Sequence, residues 1–440
     1  MKQQLSLFDF IMIVIGLVIG MGIFRTAATS AQGAITPSVY FTAWIIGGIV
    51  AFCGALTYAE IGSRYPVTGG YYKVFSYAYH PSIAFAVNCI ILISNAASLS
   101  GVALIGSGYL AKLFPAFIST DIHKALVSCV AIIIIYSINL MGLKMSAKAQ
   151  NILMLVKISM ILILIAAIFF ASDNNVNNHV ATAPNSITAL DWVKSLGVSL
   201  IAVSFTYGGY QQTINFGNEV AEPAKNIPRG IFVGIAVIIG LYLLVNVSYY
   251  SIIGFENMKG EREIAYVLME KIFGKKGADV FAFFLFMGVL SYVNALMLSN
   301  PRVMYAMGEE RALPKLFAKQ SSNGALVTSL TVFTAACMVI LFFSQQFEQI
   351  LGFTIFLDCF GMIASSAAIF KLRKQTQHLN GTGIYSMKLF PLLPCIFIAA
   401  YLFVGISIGI DTPITALIGF LVLVAFMALY FVANKFKPQV

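Results

Sequence analysis

Twelve apolar runs, each near the ~20 residues that cross a bilayer as a helix, follow one another along the chain. They lie at 8–30, 37–62, 82–112, 124–142, 150–171, 191–216, 229–254, 278–305, 325–343, 349–371, 388–409 and 413–433. This pattern predicts an all-α integral membrane protein. The first run carries an anomaly at its centre, GLVIGMGIF from Gly16 to Phe24, with further glycines at 20 and 22. Glycine costs about 1 kcal/mol per helix position relative to alanine, so Gly20 and Gly22 on either side of Met21 invite local unwinding. Unwound backbone is tolerated at membrane depth only where it lines a protein-enclosed cavity. A half-helix starting at Gly22 and Ile23 presents N–H groups and a positive dipole end to an anion. One ending at Ile19 and Gly20 presents carbonyls to a cation, and a zwitterionic amino acid fits between the two. Taken alone, the glycines are better explained by close helix packing.

The sixth run repeats the anomaly. SLIAVSFTYGGYQQTINFGNEV places Gly208 and Gly209 in mid-span, and Tyr207, Tyr210, Gln211, Gln212 and Asn215 make its second half too polar for lipid. Two interrupted helices five spans apart point to a transporter built from inverted repeats, since an odd number of spans makes the halves insert in opposite senses.

Composition agrees with the membrane class: 59% of the 440 residues are apolar and 10% charged, with a mean hydropathy of +0.89. The net charge of +10 reads as topology. With the N-terminus inside, 17 Lys and Arg fall on the cytoplasmic side and 8 outside, leaving Arg25 and Lys157 within spans. By the positive-inside rule both termini are cytoplasmic. No cleavage pattern precedes the first run, so it is kept as a span. Six scattered cysteines and four loop histidines predict neither disulfide nor metal site, and no cofactor or nucleic-acid partner is expected. The Asn-rich stretch from Ser172 to Asp191 is expected to be a mobile outer loop.

Isolated polar residues inside the runs are the remaining candidates. Lys157 sits two turns into the fifth run, where an ammonium costs about 3 kcal/mol on insertion scales. It needs acceptors, or it snorkels to the interface. Ser291 and Asn294 interrupt the eighth run and Asp358 the tenth. Asp358 is read as a partner for a base, a proton site, a selector of cationic side chains, or a hydrogen-bonded scaffold acid. Arg25 faces an outer vestibule or anchors the interface. Glu60, Arg64, Glu219, Arg229 and Arg302 form a cytoplasmic gate or fix topology.

YAEIGSRYPVTGGYY after the second run, GMGIF in the first, and FTYGGYQQTINFGNEVAEPAKNIPRG at 205–230 together resemble the amino acid–polyamine–organocation (APC) superfamily. LYLLVNVSYY and SYVNALMLSNPRVMYAMGEERALP extend a resemblance to its L-type amino acid transporter branch. Tyr210 stands where that branch usually has Trp. The resemblance covers runs 1 to 10 and implies a LeuT-type 5+5 inverted-repeat bundle plus two extra helices. Its parts are a first repeat at 1–172, an outer loop at 173–190, a second repeat at 191–375, and a scaffold with cytoplasmic tail at 376–440.

The resemblance further implies that a substrate carboxylate meets N–H groups at Gly22 and Ile23, and its ammonium the carbonyls of Ile19, Phe205 and Thr206. Phe205 resembles the family's gating aromatic. Gly208 and Gly209 leave room for the substrate side chain, Tyr207 and Tyr210 shape its pocket, and Ala97 and Ser100 are further candidates. Lys157 stands in for the sodium ion of sodium-coupled relatives, reaching a carbonyl near Gly16 and the Ser291 hydroxyl.

The expected function is therefore a sodium-independent transporter of neutral L-amino acids in the plasma (inner cell) membrane, working by alternating access. Exchange, facilitated movement and proton coupling remain open. A carrier of cationic amino acids or polyamines is the alternative within the class, and an amino acid sensor without transport the alternative outside it. A membrane enzyme is disfavoured, since there is no pair of midplane acids, no HExxH and no Ser/His set. The amino acid substrate and the bilayer are the expected partners, with no obligate protein partner.

Overall fold

The computed structural model describes residues 5–170, 188–343, 347–380 and 383–435, and the regular structure among them is helical apart from two isolated β-bridges. The first span is two helices, α1 (Leu7–Val18) and α2 (Gly22–Gly33). Its start is fixed by a capping box in which Ser6 and Asp9 bond each other's backbone N–H. Then follow α3 (Pro37–Arg64), opened by a Thr36 cap with Pro37 in the first turn, and a short α4 (Gly70–Ala78). The first half closes with α5 (Pro81–Leu113), α6 (Asp121–Leu140) and α7 (Leu143–Ala166).

The second half begins with α8 (Ala189–Tyr207) and continues past Gly208 and Gly209 as a 3₁₀ stretch, Tyr210–Asn215. Next come α9 (Pro223–Ile253), the short α10 (Phe255–Met258) and α11 (Ile264–Glu309), kinked at Gly274 where φ is 67°. Finally come α12 (Val327–Phe343), α13 (Phe347–Gln375), α14 (Leu392–Asp411) and α15 (Pro413–Lys435). Among the described residues, eleven spans are long and apolar enough to cross a bilayer, and α12 is a shorter apolar helix in the expected ninth place.

Two boundaries differ most from the sequence reading. The fifth span starts at Leu143 rather than near 150, because Lys144 and Lys148 extend the helix on a polar face; the eighth is preceded by extra turns from Ile264. The expected mobile loop lies almost wholly at 171–187, and the tail at 436–440; both fall outside the described residues.

Burial sorts the spans. In the first and third, 78% of the apolar window is buried, against 6% in the last, so α1, α2 and α5 are central and α15 faces lipid. Between helices in lipid, close packing and polar contacts hold the bundle. Ser30 and Ser199 hydroxyls lie 2.7 Å apart across α2 and α8, and the Ser195 hydroxyl donates to the Gly33 carbonyl at 2.8 Å. Across α6 and α11 the Asn139 amide donates to Asn294 at 2.7 Å.

Candidate functional site

The two interruptions meet. At the first, α1 ends at Val18, the Gly20 N–H turns back to the Val18 carbonyl at 2.7 Å, and α2 restarts at Gly22. The first N–H groups of α2 have no acceptor within their own helix. At the second, Gly208 is extended and Gly209 adopts φ of 111°. Gly209 needs that freedom and that bareness, because a Cβ there would lie 2.1 Å from the Leu17 carbonyl oxygen. A single hydroxyl, Tyr242 on α9, donates towards both breaks, to the Val18 carbonyl at 3.2 Å and the Thr206 carbonyl at 3.3 Å. Thr26 and Thr206 hydroxyls also bond each other across α2 and α8.

Between the breaks lies a cavity of about 30 Å³, room for roughly two waters. Val18, Gly20 and Gly22 line one side; Phe205, Thr206, Gly208, Gly209 and Gln212 line another. The rest of the wall includes Asn95, Ser98 and Val102 of α5, Tyr292 of α11, Thr354, Ile355, Asp358 and Met362 of α13, and Tyr401 of α14. Asp358 accepts from the Ser94 hydroxyl at 2.8 Å, and among the described residues no Lys, Arg or His pairs with it.

The other sequence candidates stand as follows. Ile19, Met21 and Ile23 bury their side chains completely, so only their backbone is available to a ligand. Ala97 and Ser100 are off the cavity wall, and the Ser100 hydroxyl donates to the Cys337 carbonyl at 2.7 Å. Helical spacing accounts for this: 95, 98 and 102 share one face, and 97 and 100 are turned away from it. Tyr207 and Tyr210 are also off the wall. Tyr207 packs edge-on to Trp44 and lines a separate apolar cavity, while Tyr210 is buried between Tyr58 and Phe397. Arg25 is half-buried, one turn into α2.

Lys157 is fully buried, and its ammonium donates to the Ile19 carbonyl at 2.5 Å, at the first break itself. The acceptor is a first-span carbonyl, as expected, though one that lies past Gly16 at the break, and Ser291 is not a partner. The bare Gly16 instead faces Gln150, whose amide nitrogen would lie 1.9 Å from a Cβ there. Gln150 donates to Ser291 at 3.2 Å and accepts from Asn294 at 2.9 Å, and the Ser291 hydroxyl points to the Met154 sulfur. Gln150 and Tyr242 are thus structural participants that the sequence reading did not single out.

The end of the cavity nearest the N-terminus is sealed. Leu5 pairs with the chain beyond the second break, its N–H donating to the Glu219 carbonyl at 2.9 Å. The Gly69 N–H donates to the Asn215 carbonyl at 2.9 Å. Glu219 forms a buried ion pair with Arg302 at 2.8 Å. Burial pushes the Glu219 carboxyl up, and the Arg302 guanidinium pulls against it. Glu60 is buried between Arg64 at 2.8 Å and Arg373 at 3.0 Å. Arg229, offered with these as a gate residue, forms no ion pair among the described residues.

Paired helix breaks around a small polar cavity, in a bundle of membrane spans, define the class as a membrane transporter rather than an enzyme. The amino acid permease family profile matches residues 5–434, and the chain belongs to that family, within the APC superfamily that its motifs resemble. The chain is 26% identical to the serine/threonine exchanger SteT of Bacillus subtilis (strain 168), over 100% of this chain and 98% of that one. It is 25% identical to the human cystine/glutamate transporter over 98% of this chain and 85% of the other. To the rabbit large neutral amino acids transporter small subunit 2 it is 21% identical, over 100% and 82%.

Proposed function

We propose that the chain exchanges neutral amino acids across the plasma membrane without sodium, by alternating access around the cavity between the two helix breaks. Substrate carboxylate binds the N–H groups at Gly22 and Ile23, and substrate ammonium binds carbonyls at Phe205 and Thr206, with Phe205 closing over it. Both termini are cytoplasmic, so the sealed end is the inner gate. The parts that move are two inverted repeats, 1–172 and 191–375, with α14 and α15 outside them.

The observation that carries this reading is the Lys157 ammonium on the Ile19 carbonyl. A cation fixed by a covalent stem at the first break occupies the electrostatic place of a coupling ion. Two relatives support neutral substrates by name, a serine/threonine exchanger and a large neutral amino acids transporter subunit. Counterflow of labelled amino acids in proteoliposomes tests the proposal. Neutral amino acids are expected to drive uptake equally in sodium and choline media. No counterflow with any amino acid would leave a sensor, and a strict sodium requirement would remove the role given to Lys157.

A further inference from the structure

The side-chain end of the cavity has a chemistry of its own. Two of the elements that line it, the 3₁₀ stretch and α13, carry side-chain oxygens without partners among the described residues. Gln212, 3% exposed, donates its amide nitrogen to Asn95, and its Oε1 has no partner. The direction of this amide chain is fixed: Asn300 donates to the Leu296 carbonyl and accepts from Asn95, which accepts from Gln212. Reversing Gln212 would set two amide nitrogens or two oxygens against each other. Thr354, 2% exposed, also has an unpartnered Oγ1. One turn further along α13, Asp358 uses one oxygen to accept from Ser94, and no other hydrogen bond or ion pair reaches it among the described residues.

Buried polar atoms in native proteins are nearly always hydrogen-bonded, and a cluster of exceptions calls for a ligand or water. Asp358 is half-buried, with Ser94 its donor and no cation beside it among the described residues, and a carboxylate partly withdrawn from water without a cation is costly. Two such exceptions, on Gln212 and Thr354, belong to residues that line one cavity together with Asp358, and all three groups can accept.

We propose that Gln212, Thr354 and Asp358 form a side-chain subsite that selects amino acids bearing a hydrogen-bond donor at the end of a short side chain. The subsite rests on the transport reading above and narrows its substrates. In the reading above the same cavity also receives the substrate's carboxylate and ammonium, which leaves it space for a short side chain. A hydroxyl or a short-chain ammonium satisfies these acceptors. An aliphatic side chain of the same shape covers them without bonding, and a site built to bond a substrate OH discriminates strongly against the analogue that lacks it.

The isosteric pair threonine and valine tests this in exchange assays with the full-length protein in proteoliposomes. Threonine is expected to compete with labelled substrate at least about ten-fold better than valine, and serine better than alanine, from the loss of one buried hydrogen bond. 2,3-Diaminopropionate, serine's amine counterpart, reports which donor is preferred. Its outcompeting serine supports the subsite with an ammonium as its ligand, and the reverse supports it with a hydroxyl.

In Asp358→Asn and in Thr354→Val the threonine-to-valine ratio is expected to fall towards one, in samples shown monodisperse in detergent. Thr354→Val keeps the shape of the side chain and so remains informative if Asp358→Asn fails to fold. Equal competition by threonine and valine in the wild type, with exchange intact, overturns the subsite and leaves the transport reading standing. A ratio unchanged in both variants also overturns it. Absence of any amino acid exchange overturns both.

Discussion

Gly22→Leu is expected to abolish substrate binding while the protein still inserts and folds. A Cβ at Gly22 would lie 2.8 Å from the Thr206 Oγ1, 2.9 Å from its Cγ2 and 3.0 Å from its backbone Cα. Thr206 cannot swing aside, since its hydroxyl is held by Thr26 and by the Ala202 carbonyl at 2.8 Å. The larger side chain therefore pushes α2 away from α8 and moves the N–H groups proposed to hold the carboxylate. A displacement of about 1 Å in a positioning group costs on the order of a hundred-fold. The apolar replacement keeps the span insertable, so monodispersity and helix content should match the wild type. Equilibrium binding of labelled amino acid to the purified variant checks the result. Wild-type binding by Gly22→Leu would mean that the first break serves packing alone.

The breaks were legible in the sequence because glycine inside an apolar run conflicts with the local helical rule, and such conflicts mark sites. The spans were legible for a similarly local reason, since twenty apolar residues need no tertiary context to be read. The cavity wall was less so. Buried on most sides, α5 carries no amphipathic stripe, and nothing in the sequence tells the 95/98/102 face from the one holding Ala97 and Ser100. Gln150 sits close enough to the start of its run to read as an interfacial residue, yet it fills the space above Gly16. Tyr242 reads as one aromatic among many, and its clamp on both breaks exists only once α9 packs beside them. Tyr401 comes from a span without a break, read as scaffold, and still reaches the cavity. The second break does not restart as an α-helix. It continues instead as a 3₁₀ stretch, in which Thr213 donates to the Tyr210 carbonyl at 2.6 Å and Gln211 accepts from the Gly209 N–H at 2.9 Å. Side-chain bonds of this kind compete with the α-helical ladder.

Lys157→Met is expected to lose most transport with folding retained, and this is the second large effect. The ammonium has one hydrogen-bond partner among the described residues, the Ile19 carbonyl. Gly288 faces the stem, with Lys157 Cε 3.6 Å from where a Cβ would stand, an ordinary contact distance. Methionine nearly keeps the length and fills the same slot, so packing between α7 and α11 should survive. The loss is the charge at the first break. A buried acceptor left without its donor costs about 1–3 kcal/mol, enough to shift a two-state equilibrium by roughly five- to 150-fold. Carbonyl dipoles in a low-dielectric interior bind a cation strongly. Releasing Ile19 therefore loosens the first break where it meets the cavity, and the closed arrangement loses population. The expected result is exchange reduced by at least about ten-fold, with the threonine-to-valine ratio of the residual activity unchanged, because Lys157 lies off the wall formed by Gln212, Thr354 and Asp358. Initial rates in proteoliposomes, in sodium and in choline, measure both. If Lys157→Met exchanges at the wild-type rate, the lysine is a buried anchor and the sodium-independence of the cycle needs another cause.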